Sequence, residues 1–277
     1  METTTITVDG VELSAAEAGQ GGRPILLLHG FCGAKEDFTD WLDRLASLGW
    51  HAVTYDQRGH GRSGHPAGEA AFSLRIFADD VLAVADDLGW GRFVLLGHSM
   101  GGMVAQLLAL GAPERLDGLI LMDTSHGAPD GLDPSLVAMA HQIVRSGGME
   151  ALIEVQRSMD PEFLASGPHL RLCEQRPGYR EFCEHKTVVT SPDMWITMSD
   201  EMLSQRDRLD ALWGLSMPVL VIAGQEDQGF VGQCRAMAAT IPGARLAEIT
   251  GGGHSPQFEA PEQWWEAVCA FLWEVTA

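Results

Sequence analysis

The sequence predicts an α/β protein in which one mostly parallel sheet is covered by helices on both faces. Short, continuously apolar runs alternate with amphipathic segments of about 10–15 residues, a rhythm typical of buried parallel strands joined by helices. This rhythm stops at residue 126 and resumes after residue 207, and the intervening stretch has a helical pattern with no buried-strand run. We therefore expect one α/β domain that carries a helical insertion.

The predicted strands begin with a hairpin. Residues 3–8 and 11–18 alternate roughly between apolar and polar side chains, and the Asp9-Gly10 pair between them is a strong hairpin signal. Further strands are predicted at 24–28, 51–55, 93–96, 118–122, 218–223 and 244–249. Helices are predicted at 35–48, 73–88, 100–110 and 261–275. The short apolar run at 24–28 is typical of a strand that is buried on both faces of a parallel sheet.

Residues 126–207 are predicted to form a helical cap on a core domain made of residues 1–125 and 208–277. The cap segment is rich in methionine, and prolines divide it into short pieces. These prolines are Pro129, Pro134, Pro161, Pro168, Pro177 and Pro192.

Large apolar side chains of the cap are candidates for the wall of a substrate pocket. We predict substrate contacts for Trp195, Met139 and Met198, because flexible thioethers and aromatic rings make adaptable apolar surfaces. Further candidates are Met149, Met159 and Met202. The alternative for each of them is a place in the cap's own small core. No acidic or basic cluster in this segment indicates a charged substrate.

Composition limits the partners. Lys and Arg number 18 against 38 Asp and Glu, which gives a formal charge of −20. Nucleic-acid phosphates and anionic membranes would be repelled, so we expect a small-molecule substrate and neither of those partners. The N-terminal residues lack the features of a secretory signal, and no apolar window is long enough to span a bilayer. Five cysteines without C-x-x-C spacing predict reduced thiols in a cytoplasmic protein.

A candidate nucleophile lies between a predicted strand and a predicted helix. Residues 97–101 read G-H-S-M-G, which matches the motif G-x-S-x-G. In that context the motif places the serine on a sharp, strained turn at a helix N-terminus, where free N–H groups favour developing negative charge. The flanking glycines let the strand and the helix approach closely. Ser99 is therefore the predicted nucleophile.

A serine hydroxyl needs a neighbouring base, and the base needs a carboxylate to orient it. Of the ten histidines, His254 follows a predicted strand and three consecutive glycines, a loop able to bring its side chain over the sheet edge. Asp227 comes just after the strand at 218–223 and completes the chain order Ser, Asp, His. Glu226 and Asp123 are the alternative acids.

Acyl transfer also requires two preorganised N–H donors for the oxyanion. One is predicted to be the backbone N–H of Met100, directly after the nucleophile. The other is predicted to be the backbone N–H of Phe31, in the turn after the strand at 24–28.

Several short motifs are distributed along the whole chain outside the helical segment. They are H-G-F at 29–31, D-Q-R-G-H-G-R-S at 56–63, G-H-S-M-G-G at 97–102, G-Q-E-D at 224–227 and G-H at 253–254. Together they resemble the α/β-hydrolase superfamily. The resemblance implies an α/β-hydrolase fold, with an eight-stranded, mostly parallel sheet and a helical cap over the active site. Within the superfamily, residues 99–106 and 113–116 look most similar to the small esterase and enol-lactonase branch.

The predicted reaction is hydrolysis of a carboxylic ester or lactone of a small, largely apolar substrate through an acyl-enzyme, without a metal or organic cofactor. Ser99 departs from the pattern of haloalkane dehalogenases and epoxide hydrolases, which have aspartate there. His98 and Ser255 depart from the pattern of C–C bond hydrolases. C–C bond hydrolysis and cofactor-free perhydrolysis or haloperoxidation on the same triad are alternatives. A non-catalytic small-molecule binding protein is the alternative from another class.

Overall fold

A single eight-stranded sheet forms the centre of the protein. The computed structural model describes residues 1–129, 133–159 and 165–276. The strands are β1 (Glu2–Val8), β2 (Val11–Ala18), β3 (Arg23–Leu28), β4 (Trp50–Tyr55), β5 (Phe93–His98), β6 (Leu116–Met122), β7 (Val219–Gly224) and β8 (Arg245–Ile249). Their order in the sheet is β1-β2-β4-β3-β5-β6-β7-β8. β2 is antiparallel to β1 and β4, and all other neighbours are parallel. The predicted fold class is therefore confirmed.

The first two strands form the predicted hairpin. β1 pairs with β2 in antiparallel register, with Val8 opposite Val11. The two turn residues have positive φ angles, +46° at Asp9 and +79° at Gly10. A two-residue hairpin loop of this kind requires left-handed backbone, which Asp and Gly tolerate better than other residues.

Helices cover both faces of the sheet. They are α1 (Thr39–Ser47), α2 (Leu74–Asp87), α3 (Met100–Gly111), α4 (Pro134–Ser158), α5 (Gly167–Gln175), α6 (Tyr179–Val188), α7 (Pro192–Ser204), α8 (Leu209–Leu212), α9 (Val231–Thr240), α10 (Pro256–Glu259) and α11 (Pro261–Val275). Along β3, Leu26 and Leu28 pack in the cluster that contains α2, α3 and α9, whereas Ile25 and Leu27 pack in the cluster that contains α1 and α11. Because alternate strand residues face opposite sides, both faces demand apolar side chains.

The predicted helix at 35–48 is wrong in its first turn. A short 3₁₀ turn, Lys35–Asp37, precedes α1 instead. The Lys35 N–H donates to Asp56 Oδ1 at 2.7 Å, and the Lys35 ammonium donates to Asp56 Oδ2 at 2.8 Å. A buried carboxylate from the end of β4 therefore holds this segment, so that the regular helix begins only after it.

The segment 126–207, predicted to be a cap, contributes α4 to α7 and no strand among its described residues. α4 is broken at Gly148, where φ is +74°. The predicted helical pattern at 130–132 and at 160–164, which contains Pro161, lies outside the described residues. None of the helices in the described ranges combines the length and apolarity needed to cross a bilayer.

Truncating a central strand residue is expected to destabilise the fold strongly. Leu27 is fully buried in β3, so Leu27→Ala should lower the free energy of unfolding by about 2–5 kcal/mol because it removes buried methyl groups and leaves a cavity. Urea unfolding followed by circular dichroism measures this change. Leu48→Ala is the matched control, since Leu48 is 54 % exposed. Equal effects of the two substitutions would contradict the assignment of Leu27 to the core.

Candidate active site

Ser99 lies at the turn between β5 and α3 and has a strained backbone. Its φ is +53° and its ψ is −119°, a conformation that L-residues rarely adopt. The surrounding turn is tight: a Cβ atom on Gly101 would lie 2.6 Å from the carbonyl oxygen of His29, and one on Gly30 would lie 2.8 Å from Ser99 Cβ. Glycine at these positions lets the turn after β3 lie directly against the serine.

The structure brings Ser99, His254 and Asp227 into one hydrogen-bonded chain. The Ser99 hydroxyl donates to His254 Nε2 at 3.0 Å, and His254 Nδ1–H donates to Asp227 Oδ2 at 2.7 Å. The three residues follow β5, β8 and β7, whose carboxyl ends meet at the same edge of the sheet. This geometry can remove the serine proton as a nucleophile forms, and it fixes the imidazole tautomer.

The environment of His254 makes its imidazole more basic. Burial lowers the pKa of His254, but the charge of Asp227, its hydrogen bond to the ring and the charge of Glu259 outweigh burial, and the pKa is raised above 6.5. The side chain remains 37 % exposed, so the ring is within reach of a substrate. Because only the neutral imidazole can accept a proton, base catalysis by His254 is lost as the pH falls through this raised pKa.

Glu226, the neighbouring alternative acid, points away from the histidine. Its carboxylate pairs with Arg171 on α5 at 3.0 Å, and its side chain is 44 % exposed. The backbone N–H of Glu226 donates to the carbonyl of Gly252. Glu226 therefore joins the helical segment to the sheet domain, and it is not hydrogen-bonded to His254.

Asp123, the other alternative acid, is fully buried at the end of β6. Its Oδ1 accepts the N–H of Gly224 at 2.8 Å, and its Oδ2 has no hydrogen-bond partner among the described residues. Burial, and next the charge of Asp227, raise the pKa of Asp123 well above its usual range. The raised pKa favours the protonated carboxyl group, and the hydrogen-bond partner of His254 Nδ1 is Asp227 rather than Asp123.

The turn after β3 is held in place beside Ser99. His29 Nε2 accepts the N–H of Gln57 at 3.0 Å, and its Nδ1–H can then donate to the carbonyl of Gly30 at 2.8 Å. The backbone N–H groups of Phe31 and Met100 have no acceptor among the described residues. Two unoccupied N–H donors next to a serine hydroxyl are the arrangement that a tetrahedral oxyanion would require.

Two aromatic rings lie close to His254. The rings of His98 and Phe230 have centroids 4.9 Å and 4.7 Å from the His254 ring. His98 Nε2–H donates to the His254 carbonyl at 2.6 Å. Burial, and next the charge of His254, lower the pKa of His98 to about 3, so His98 is neutral and holds the loop without competing as a base. His98 is part of the sequence motif around Ser99, whereas no pattern in the sequence indicated that Phe230 lies beside His254.

Trp195, one of the predicted pocket residues, lies next to Phe31 in the turn after β3. Its ring lies 5.8 Å from that of Phe31, and both belong to an apolar cluster with Met149. Met139 is not in this cluster: it is 58 % exposed on α4. Met198 is fully buried in the cluster that packs on the sheet. Trp195 therefore contacts Phe31 through its ring, Met139 is exposed, and Met198 lies in a cluster against which Phe31 also packs.

The remaining two candidate methionines, Met202 and Met159, lie in different environments. Met202 is buried with Met198 in the cluster that packs on the sheet. Met159 lines a cavity of about 560 Å³ within the helical segment. Ile153, His169 and Leu170 also line that cavity, and none of the three residues of the hydrogen-bonded chain does so.

Within the described ranges, no three His, Cys, Asp or Glu side chains are grouped in a way that could hold a metal ion.

Comparison with known proteins identifies the family. The family model for the alpha/beta hydrolase fold matches residues 23–261. The chain is 29 % identical over 273 residues to 3-oxoadipate enol-lactonase 2 of Acinetobacter baylyi, and the match covers 97 % of this chain and 96 % of that protein.

Solved structures show the same fold over the full length. A thermophilic esterase from Thermogutta terrifontis, with malate bound, is 28 % identical, with a TM-score of 0.81 and 100 % of both chains covered. The enol-lactonase from Burkholderia xenovorans LB400 is 24 % identical, with a TM-score of 0.81 over 97 % of this chain and 99 % of that one. The predicted resemblance to the esterase and enol-lactonase branch is confirmed by these relatives. The chain belongs to the alpha/beta hydrolase fold family.

Proposed function

We propose that the protein is a serine hydrolase that cleaves a carboxylic ester or lactone of a small, largely apolar substrate through an acyl-enzyme. The observation that carries this proposal is the hydrogen-bonded chain from the Ser99 hydroxyl through His254 to Asp227. The two free N–H groups of Phe31 and Met100 beside it support the proposal.

Acylation begins with attack of Ser99 Oγ on the substrate carbonyl carbon. His254 Nε2 takes the hydroxyl proton, and Asp227 stabilises the resulting imidazolium. The carbonyl oxygen becomes an oxyanion that accepts from the two backbone N–H groups. When the tetrahedral intermediate collapses, the C–O bond to the leaving group breaks, and His254 gives its proton to the alkoxide.

Deacylation repeats these steps with water as the nucleophile. His254 removes a proton from water, and the hydroxide attacks the acyl carbon. Collapse of the second intermediate breaks the bond to Ser99 Oγ, which receives the proton from His254. For a lactone the same steps open the ring, because acid and alcohol belong to one molecule.

The surroundings favour an uncharged, apolar acyl group. The pair of Phe31 and Trp195 borders the oxyanion turn with aromatic surface. Lys186, a cation of the helical segment near this turn, is already paired with Asp37. The formal charge of −20 gives an anionic substrate no long-range attraction.

A fluorophosphonate probe tests the proposal. We expect stoichiometric labelling of the folded protein, with the adduct located on Ser99 by mass spectrometry, because the probe requires an activated serine. A panel of short-chain esters and lactones should then be turned over, and heat-denatured protein is the control. Labelling without ester or lactone turnover would move the assignment to C–C bond hydrolysis or perhydrolysis. No labelling of folded protein would contradict the proposal and favour a binding protein.

A further inference from the structure

One carboxylate holds the main chain on both sides of His254. The N–H of Gly253 donates to Glu259 Oε2 at 2.6 Å, and the N–H of Ser255 donates to the same oxygen at 3.2 Å. Glu259 is the last residue of α10, which begins directly after this loop. The carboxylate therefore binds the backbone N–H groups of the residues directly before and after the proposed base.

The loop needs such a restraint because of its composition. Residues 251–253 are three consecutive glycines, and Gly251 has a φ of +75°. Glycine has more backbone freedom than any other residue. Without a restraint, the orientation of the His254 imidazole toward Ser99 would therefore be poorly defined. His98 donates to the His254 carbonyl, which belongs to the same peptide group as the Ser255 N–H. Glu259 and His98 therefore hold both polar atoms of the peptide group that follows His254, its N–H and its C=O.

Glu259 is also placed where its charge acts on the imidazole. Its Oε1 is buried and has no hydrogen-bond partner among the described residues. Burying a carboxylate oxygen without a hydrogen-bond partner costs free energy. This cost favours a functional role for Glu259 in addition to packing. Burial, together with the charge of Asp227, raises the pKa of Glu259 above its usual value, although the N–H groups of Gly253 and Ser255 and the charge of His254 act to lower it.

Several titratable groups face His254 from the elements packed around it. They are His98 at the end of β5, Asp123 at the end of β6, Asp227 after β7, Glu259 on α10 and His169 on α5. Asp227 and Glu259 are the two whose negative charges raise the pKa of His254. Asp227 binds the ring directly, whereas Glu259 binds only the neighbouring backbone.

We propose that Glu259 is a positioning residue, whose carboxylate fixes the loop of His254 and directs the imidazole toward Ser99. This inference rests on the proposed function, since it assigns His254 the role of base. A purely structural carboxylate would stabilise the fold without affecting the pH dependence of the reaction. The pH profile therefore separates the two roles.

The test is the rate of Ser99 labelling by a fluorophosphonate as a function of pH, in the wild type, Glu259→Gln and Glu259→Ala. Glu259→Gln keeps an acceptor oxygen but removes the charge, so the acidic limb of the profile should move to lower pH as the pKa of His254 falls. Glu259→Ala also removes both hydrogen bonds, and its plateau rate should fall by about 10- to 100-fold as the imidazole loses its orientation. Glu262→Gln is the matched control, because this exposed residue of α11 carries the same charge.

Circular dichroism checks whether each variant is folded. If Glu259→Ala does not fold, the position of the acidic limb of Glu259→Gln is the test of the inference. A folded Glu259→Ala with the wild-type plateau rate, or a Glu259→Gln whose acidic limb coincides with those of the wild type and Glu262→Gln, would overturn the inference while leaving the proposed function intact. Wild-type protein that takes no label would overturn the proposed function and this inference with it.

Discussion

Replacement of His254 by alanine is expected to lower kcat/KM for a short-chain ester by roughly 10⁵- to 10⁶-fold, the order found when the base of a serine triad is removed. The imidazole is the group that accepts the Ser99 hydroxyl hydrogen bond. Without it, the proton must leave to water, and neither tetrahedral intermediate can form or collapse efficiently. The residual rate should reflect substrate binding and the two backbone N–H donors.

Steady-state kinetics and fluorophosphonate labelling both measure this loss. His185→Ala is the matched control, since His185 is exposed on α6. It should leave kcat/KM within about twofold of the wild type, as surface substitutions usually have small effects. Loss of less than 100-fold in a folded His254→Ala variant would show that another group acts as the base.

Asp227→Asn is expected to lower kcat by about 10⁴-fold with little change in KM, because an amide can favour the wrong imidazole tautomer and no longer stabilises the imidazolium. The charge of Asp227 also raises the pKa of His254. Any remaining activity of the variant should therefore have its acidic limb at lower pH than that of the wild type.

Asp123→Asn distinguishes the two buried carboxyl groups that lie close to each other. The asparagine oxygen can still accept the N–H of Gly224, which now donates to Asp123 Oδ1. Since Asp123 is not hydrogen-bonded to His254, we expect a loss of kcat of at most about tenfold, in the range of other indirect contacts. A larger loss for Asp123→Asn than for Asp227→Asn would move the role of orienting acid to Asp123.

The sequence by itself determined the elements whose signals are local. Apolar runs predicted the buried strands, and Asp9-Gly10 predicted the hairpin that the structure contains. The glycines around Ser99 predicted a sharp turn, because the close approach of strand, helix and loop excludes a Cβ atom there. These features depend on a few neighbouring residues, so a single sequence contains the required information.

The tertiary structure decided everything that depends on which side chains meet across the chain. Ser99 and His254 are separated by 155 positions, and only the pairing of parallel strands brings their loops together. Asp227 and Glu226 are adjacent in sequence, yet one binds the imidazole and the other binds Arg171.

The same limit applies to the side chains of the helical segment and to Glu259. Met139 and Trp195 are both large apolar residues of the helical segment, but only Trp195 packs against Phe31. Glu259 had no distinguishing pattern, because its contacts are to backbone N–H groups that every residue except proline carries. Composition and periodicity describe the side chains of one helix or strand. The direction in which a side chain points and the residue that it contacts are set by packing between helices and strands.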